Sequence, residues 1–226
     1  MQTIQRYAVY YAPQAGDFAD AGAQWLGRDA ATNLTVPQPA QPVALADWTA
    51  QPRRYGFHAT LKPPFRLASG LGPTDLQRAV QALAHRLPAV SLSALEFVDL
   101  AGFLALVPVG DSAALSALAA AVVARLDPFR AAPTPADIAR RNPDRLTPRQ
   151  RDLLNLYGYP FVLDQFRFHL TLSAPLSKAD LAALRPLAAA HFARHLPRRF
   201  RVADLCLFGE AADGVFHLLQ RYPLAG

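Results

Sequence analysis

The sequence predicts an α+β protein built as two matched antiparallel β-sheet lobes, with outer helices, around a central cleft. Three observations carry this expectation. Strand-like segments come as hairpin pairs behind amphipathic helices, the order of strand, helix and hairpin occurs twice, and each copy opens on the pattern Phe-His-x-Thr-Leu-x-x-Pro. With 52% hydrophobic residues in 226, the chain is too apolar for a disordered polymer. At this length a folded chain buries roughly 70% of its unfolded surface, so one large domain or two small lobes are both allowed.

The elements follow in order. Gln5 to Tyr11 (QRYAVYY) is aromatic and β-branched, stops short of Pro13, and reads as a strand. A helix comes next, capped by Asp17 or Asp20, with Phe18, Ala21, Trp25 and Leu26 at helical spacing and Gly27 as its stop. Thr32 to Gln51 carries Pro37, Pro39 and Pro42 and reads as an irregular surface connection. Tyr55 to Lys62 (YGFHATLK) alternates and ends at Pro63 and Pro64, as a strand does. A helix from Thr74 to Leu87 puts Leu76, Val80, Leu83 and Leu87 on one face. Val90 to Asp99 and Gly102 to Val109 form a hairpin turning at Ala101-Gly102, and Asp111 or Ser112 opens a helix to Leu126. Residues 127–160 are proline-rich and read as an insertion whose better helix spans Thr147 to Tyr157, with the ARRNPDR run solvated. Gln165 to Ser173 is again a strand, Ser177 to His195 a helix, and Arg198 to Phe208 with Gly214 to Tyr222 a hairpin around Asp213-Gly214.

Composition excludes several functions. No apolar run reaches the ~18 residues a membrane helix needs, since the most apolar stretch, Ala113 to Leu126, is short and alanine-rich. The N-terminal residues lack an export pattern, and the single Cys206 allows neither an internal disulfide nor a thiolate metal cluster, so a reducing cytoplasm is the expected compartment. The 23 Lys+Arg against 17 Asp+Glu leave a net charge of +6, which suits an anionic ligand.

The repeat units span about 55–126 and 165–222, within a single bilobal domain. On an alternating strand His58, Thr60 and Lys62 share one face and Phe57, Ala59 and Leu61 the other; the same holds for His169, Thr171 and Ser173 against Phe168, Leu170 and Leu172. One face of each strand is therefore apolar, while the other offers an imidazole and a hydroxyl in register, twice. Across a pseudo-twofold cleft, one imidazole takes a proton from an attacking oxygen while the other protonates the leaving oxygen. Thr60 and Thr171 donate to non-bridging phosphate oxygens, and Lys62 adds a point charge. Tyr11, Tyr159 and Arg54 are further candidates for substrate contact, Tyr159 because it stands between the insertion and the second motif. No metal-ligand spacing occurs, so neither a metal nor a cofactor is expected. His85, His191, His195 and His217 read as structural, and Cys206 as a small core residue.

His58-Ala59-Thr60 and His169-Leu170-Thr171 resemble the paired His-x-Thr/Ser motifs of the two-histidine (2H) phosphoesterase superfamily. Within it the chain is similar to a bacterial branch described as phosphonate metabolism proteins, encoded beside carbon–phosphorus lyase genes. RYAVYYAP, WLGRD, RRYGFHATLKPPF, GFLALVP, LTPRQRDLL and GYPFVLDQFRFHLTL carry that similarity over nearly the whole chain. The resemblance implies a bilobal fold with a central cleft and metal-independent hydrolysis or formation of a cyclic or 2′-5′ phosphoester. The favoured expectation is a cyclic phosphodiesterase for a small ribose- or nucleotide-derived ester. An RNA 2′-5′ ligase or RNA end-processing enzyme is the alternative, weakened by the lack of a dense Lys/Arg stripe or a stacking signature. A non-catalytic phosphoester-binding protein is the third, and two intact motifs argue against it.

Overall fold

A computed structural model describes residues 3–226. Its first strand, β1 (Arg6–Tyr11), runs through the middle of a four-stranded sheet of order β2-β1-β8-β9, with β2 at Ala59–Phe65, β8 at Asp204–Glu210 and β9 at Phe216–Pro223. A second sheet has the order β4-β5-β6, from Leu95–Leu100, Phe103–Pro108 and Leu170–Thr171. A third, two-stranded sheet pairs β3 (Val90–Leu92) with β7 (Phe200–Val202), and every pairing between these strands is antiparallel. The expected α+β class is thus what the chain adopts.

The long helices lie where the periodicity puts them: α1 (Asp17–Leu26), α4 (Pro73–Ala84), α5 (Ala113–Arg125) and α8 (Lys178–Phe192). The connection expected to be irregular contains two single turns, α2 (Leu45–Trp48) and α3 (Ala50–Arg53). Thr49 between them is fully buried and donates to the Leu45 carbonyl, and Arg53 donates to the Leu26 and Ala46 carbonyls. Turns this short are stabilised by tertiary hydrogen bonds rather than by periodicity, and so leave no sequence pattern. In the insertion α6 (Pro135–Ala139) precedes α7 (Pro148–Tyr157), whose first turn is closed by the reciprocal bonds of Thr147 and Gln150.

The repeats do not coincide with the sheets. Strand β2 of the first unit joins, through β1, the hairpin β8-β9 of the second, while β6 of the second joins the hairpin β4-β5 of the first. One continuous apolar core, from Val9 and Leu61 to Leu106, Leu184 and Phe192, runs beneath both sheets. The two repeat units therefore exchange strands, which a repeat read as two self-contained lobes does not anticipate.

Several strand boundaries also differ from expectation: Val90–Asp99 splits into β3 and β4, and Arg198–Phe208 into β7 and β8, with β3 and β7 pairing with each other. β2 continues through Pro63 and Pro64 because it is an edge strand, where a missing N–H breaks no ladder. The second motif segment forms ladder only at Leu170 and Thr171 and is otherwise held by single bonds such as Leu172 N–H to the Leu104 carbonyl, 2.8 Å.

Helix α1 contacts both motifs. Gly22 lies so close to Phe57 that an added Cβ would stand 1.9 Å from the ring, and the Trp25 indole donates to the Leu172 carbonyl at 2.9 Å. One buried helix face thereby fixes the residue before His58 and the strand after His169.

Candidate active site

His58 and His169 are held by the same local device. Each Nδ1 bonds to the carbonyl two residues earlier, His58 to Gly56 at 2.9 Å and His169 to Arg167 at 2.8 Å. A carbonyl only accepts, so Nδ1 carries the proton and each Nε2 presents a lone pair. The first carbonyl is set by Gly56, whose φ of 77° no other residue adopts cheaply and whose missing Cβ would meet Ala30 at 2.4 Å.

Both imidazoles are half-buried, and burial lowers the pKa of each. For His58 it falls to about 4, with burial opposed by the Gly56 bond and reinforced by His169. The neighbours of the two rings differ: Tyr10 covers His58 with ring centroids 4.1 Å apart, with Tyr55 at 5.7 Å, while Phe103 lies 5.6 Å from His169.

His58, Thr60 and Thr171 open onto a cavity of about 310 Å³, and His169 onto an adjoining one of about 460 Å³. Thr60, Pro63, Phe103 and Tyr159 line both, which joins them into one cleft. Thr60 Oγ1 stands 3.4 Å from His58 Nε2. Thr171 enters from the facing sheet, where it pairs with Ala105 of β5. The two motif faces meet, although each is carried by the other unit's hairpin. Ser173 lines the same cavity, but its hydroxyl is engaged with the Leu104 N–H and the Ala174 carbonyl.

Tyr159 lines the cleft, and the Arg141 guanidinium lies 4.6 Å above its ring. The insertion therefore forms a wall of the cleft, and Arg141 of the ARRNPDR run turns inward instead of being solvated.

Three expected contacts lie elsewhere. Lys62 is 1% exposed, bonded to the Val123 carbonyl at 3.2 Å and to Asp127 at 3.4 Å. The cause is a bulge: Thr60 pairs with Tyr10 and Lys62 with Val9, so Leu61 is the extra residue and Lys62 turns to the core face. Tyr11 also faces the core, between Phe168 and Phe200, and burial raises its pKa. Arg54 is exposed, donates to the Gly214 carbonyl, and lines a neighbouring groove instead of the histidine cavity.

Conversely, Tyr55, Arg6, Arg141 and Phe103 line the cleft without having been expected there, and of the two faces of the first strand, either of which could reach the cleft, it is that of Tyr10 which does. Strand alternation separates Tyr10 from Tyr7, Val9 and Tyr11, but only the pairing of β1 with β2 tells which set faces the histidine. Arg6 is fixed by both oxygens of Glu210, at the far end of the β1-β8 pair. Among the described residues no three His, Cys, Asp or Glu side chains gather as a metal ion would require, and no helix is long and apolar enough to cross a membrane.

Comparison with known proteins gives three findings. The family described as "Protein of unknown function (DUF1045)" matches residues 60–217, which include Thr60, His169 and Thr171 and begin two residues after His58. The chain is 37% identical over 235 aligned positions to a protein of Janthinobacterium sp. (strain Marseille) named ribose 1,5-bisphosphate phosphokinase PhnN, covering 100% of this chain and 52% of that one. A protein of the same name from Laribacter hongkongensis (strain HLHK9) is 38% identical over 218 positions, covering 96% and 51%. The chain thus spans about half the length of the curated relatives it matches. Among solved structures, E. coli LigT complexed with 3′-AMP is similar at 16% identity with a TM-score of 0.48, and its complex with phosphate at 15% and 0.47, each over the full length of both chains.

Proposed function

The chain belongs to the DUF1045 family of proteins of unknown function, and on the site it carries we propose that it is a metal-independent phosphoesterase hydrolysing a small cyclic phosphodiester, ribose- or nucleotide-derived. The observation that carries this reading is the doubled His-x-Thr motif with one imidazole lock: two Nδ1–H groups tied back to carbonyls, two imidazoles lining adjoining cavities of one cleft, and a threonine of each motif lining it too.

In the proposed reaction a water oxygen attacks phosphorus while one Nε2 takes its proton. The bond from phosphorus to one ring oxygen breaks, and that oxygen takes a proton from the other imidazole. One water is added, a phosphomonoester and a free hydroxyl result, and the proton returns between the histidines with solvent. The second imidazole starts protonated, a state favoured by the anionic ester lying against it. Thr60 and Thr171 hold the non-bridging oxygens.

The relatives' name supports the ribose-derived member of the substrate class, since it places ribose 1,5-bisphosphate with proteins of which this chain matches about half. Together with the resemblance to the phosphonate-metabolism branch, it supports a role in processing a ribose phosphate ester there.

The test is a screen of nucleoside 2′,3′-cyclic phosphates and ribose 1,2-cyclic phosphates in EDTA, with His58→Ala and His169→Ala alongside. Hydrolysis is expected to persist in EDTA and to fall by about 10²–10⁴-fold in each variant, the range of a general acid or base. An active double variant, or loss of all activity in EDTA, would overturn the proposal.

A further inference from the structure

Beside the histidine cavity lies a second groove of about 410 Å³, lined by six arginines, Arg6, Arg54, Arg66, Arg130, Arg140 and Arg141. Arg6, Tyr55, Pro64 and Arg141 line both spaces, so groove and cavity are continuous. The arginines converge from the start of β1, from the segments flanking β2, and from the insertion, so no single stretch of sequence shows them together.

Their counter-charges are fewer. Arg6 is paired with Glu210, Arg130 with Asp127, and both Arg66 and Arg140 with Asp137. Against six guanidinium groups stand three carboxylates, and Asp127 is shared with the buried Lys62. Among the described residues Arg54 has only the Gly214 carbonyl as acceptor, and Arg141 lies over Tyr159 with no carboxylate partner. Asp137, the carboxylate in the groove wall, has its pKa driven down by the Arg66 bond. An excess of about three positive charges beside a phosphate-handling cavity is an electrostatic demand for a further anion. Guanidinium groups in this number meet a phosphate's oxygens in paired, charge-assisted hydrogen bonds.

We propose that this groove binds a second phosphate group of the substrate, with Arg141 and Arg54 as its direct ligands. The inference rests on the histidine cavity being the place of the scissile phosphate. The substrate class is then a cyclic phosphodiester that also carries a terminal phosphomonoester, and its hydrolysis product is a bisphosphate. That agrees with the bisphosphate in the relatives' name. An excess of about three charges within a groove of about 410 Å³ fits one phosphate rather than a polynucleotide track.

The test is a binding titration that needs no turnover, using ribose 1,5-bisphosphate against ribose 1-phosphate and ribose 5-phosphate. The bisphosphate is expected to bind at least ~tenfold more tightly than either monophosphate, as two charge-assisted contacts imply. In the Arg54→Gln/Arg141→Gln double variant that ratio is expected to fall to within about twofold, with an unchanged melting temperature checking the fold. Equal affinities in the wild type, or a ratio that survives the double variant, would refute the second site. So would an oligoribonucleotide whose affinity climbs with length past that of the bisphosphate. A preserved ratio with no cyclic phosphodiesterase activity would uphold the groove and sink only the proposed reaction.

Discussion

Lys62→Met separates a substrate-binding lysine from a buried structural one. Burial lowers the Lys62 pKa from 10.5 to about 8, partly offset by Asp127. At about 1.4 kcal/mol per pH unit, the charged ammonium is disfavoured in the folded chain by ~3 kcal/mol relative to the unfolded one. Between pH 8 and 10.5 the unfolded chain holds this proton and the folded one does not, so this residue's penalty is full below pH 8 and fades as the pH rises toward 10.5. Methionine fills a similar volume without the charge, and Asp127 keeps its two bonds to Arg130, at 2.8 and 3.1 Å. Replacing a buried ion by a well-packed apolar side chain is commonly neutral or stabilising by about 1–4 kcal/mol. The loss of the bond to the Val123 carbonyl subtracts ~1 kcal/mol.

Lys62→Met is therefore expected to be more stable than the wild type by about 1–2 kcal/mol at pH 7, with the advantage shrinking toward pH 10. Urea unfolding of both proteins across that range measures it. Taking the difference removes the buried tyrosines, whose pKa burial raises above the usual value near 10 and which are common to both. A variant destabilised at pH 7, or a difference that does not change with pH, would refute the argument. Under the proposed reaction its kcat/KM stays within about threefold of the wild type; a KM rise of tenfold or more would restore Lys62 to the phosphate site.

Two further outcomes follow from the first motif. Gly56→Ala is expected to lose ~2–4 kcal/mol of stability, from an unfavourable φ and a clash with Ala30, and to lower kcat more than it changes KM because the carbonyl holding His58 moves; a variant of native stability and kcat would contradict this. His58, whose folded pKa is about 4 against the usual 6.5, makes the unfolded chain bind a proton first on acidification, so its contribution to stability falls between pH 6.5 and pH 4 by up to ~3 kcal/mol. His58→Gln should therefore gain on the wild type over that window in denaturant titrations, and parallel curves would exclude the burial argument.

How much of this was legible in the sequence depended on how local its cause is. Helix α7 could be placed from Thr147, Gln150 and Gly158 because a cap is settled within a few residues. The motif histidines and threonines were legible because alternation fixes their common face as soon as the strand is recognised. Lys62 was not, since a bulge is a property of two paired strands and the partner of β2 is β1, some fifty residues away in sequence. Arg6 and Arg141 were hidden for the same reason: the first belongs to a strand end and the second to a proline-rich connection, and only tertiary packing brings them to one cleft. The strand exchange had no local signature, because the repeat reads identically whether a motif strand pairs with its own hairpin or with the other unit's.

That exchange bears on the proposed division of labour between the histidines. Each is fixed by the same short-range lock, so their orientation repeats, but each sits against the other unit's strands, so their surroundings do not. His58 is covered by Tyr10 and lies near Phe208, and burial lowers its pKa to about 4. His169 is lowered by burial, with its carbonyl bond opposing. Sites that share a geometry but differ in environment are how paired groups acquire opposite roles. Under the proposed reaction His58, covered by Tyr10 and held by burial at a pKa of about 4, is the imidazole that stays neutral and suits the base, and His169 is the one whose protonated form an arriving phosphate anion stabilises, so that it acts as the acid. In a pH profile of kcat/KM the acidic limb then belongs to His58, and replacing His169 should remove the alkaline limb while leaving the acidic one in place. The reverse pattern would exchange the two roles without disturbing the cleft that both histidines share.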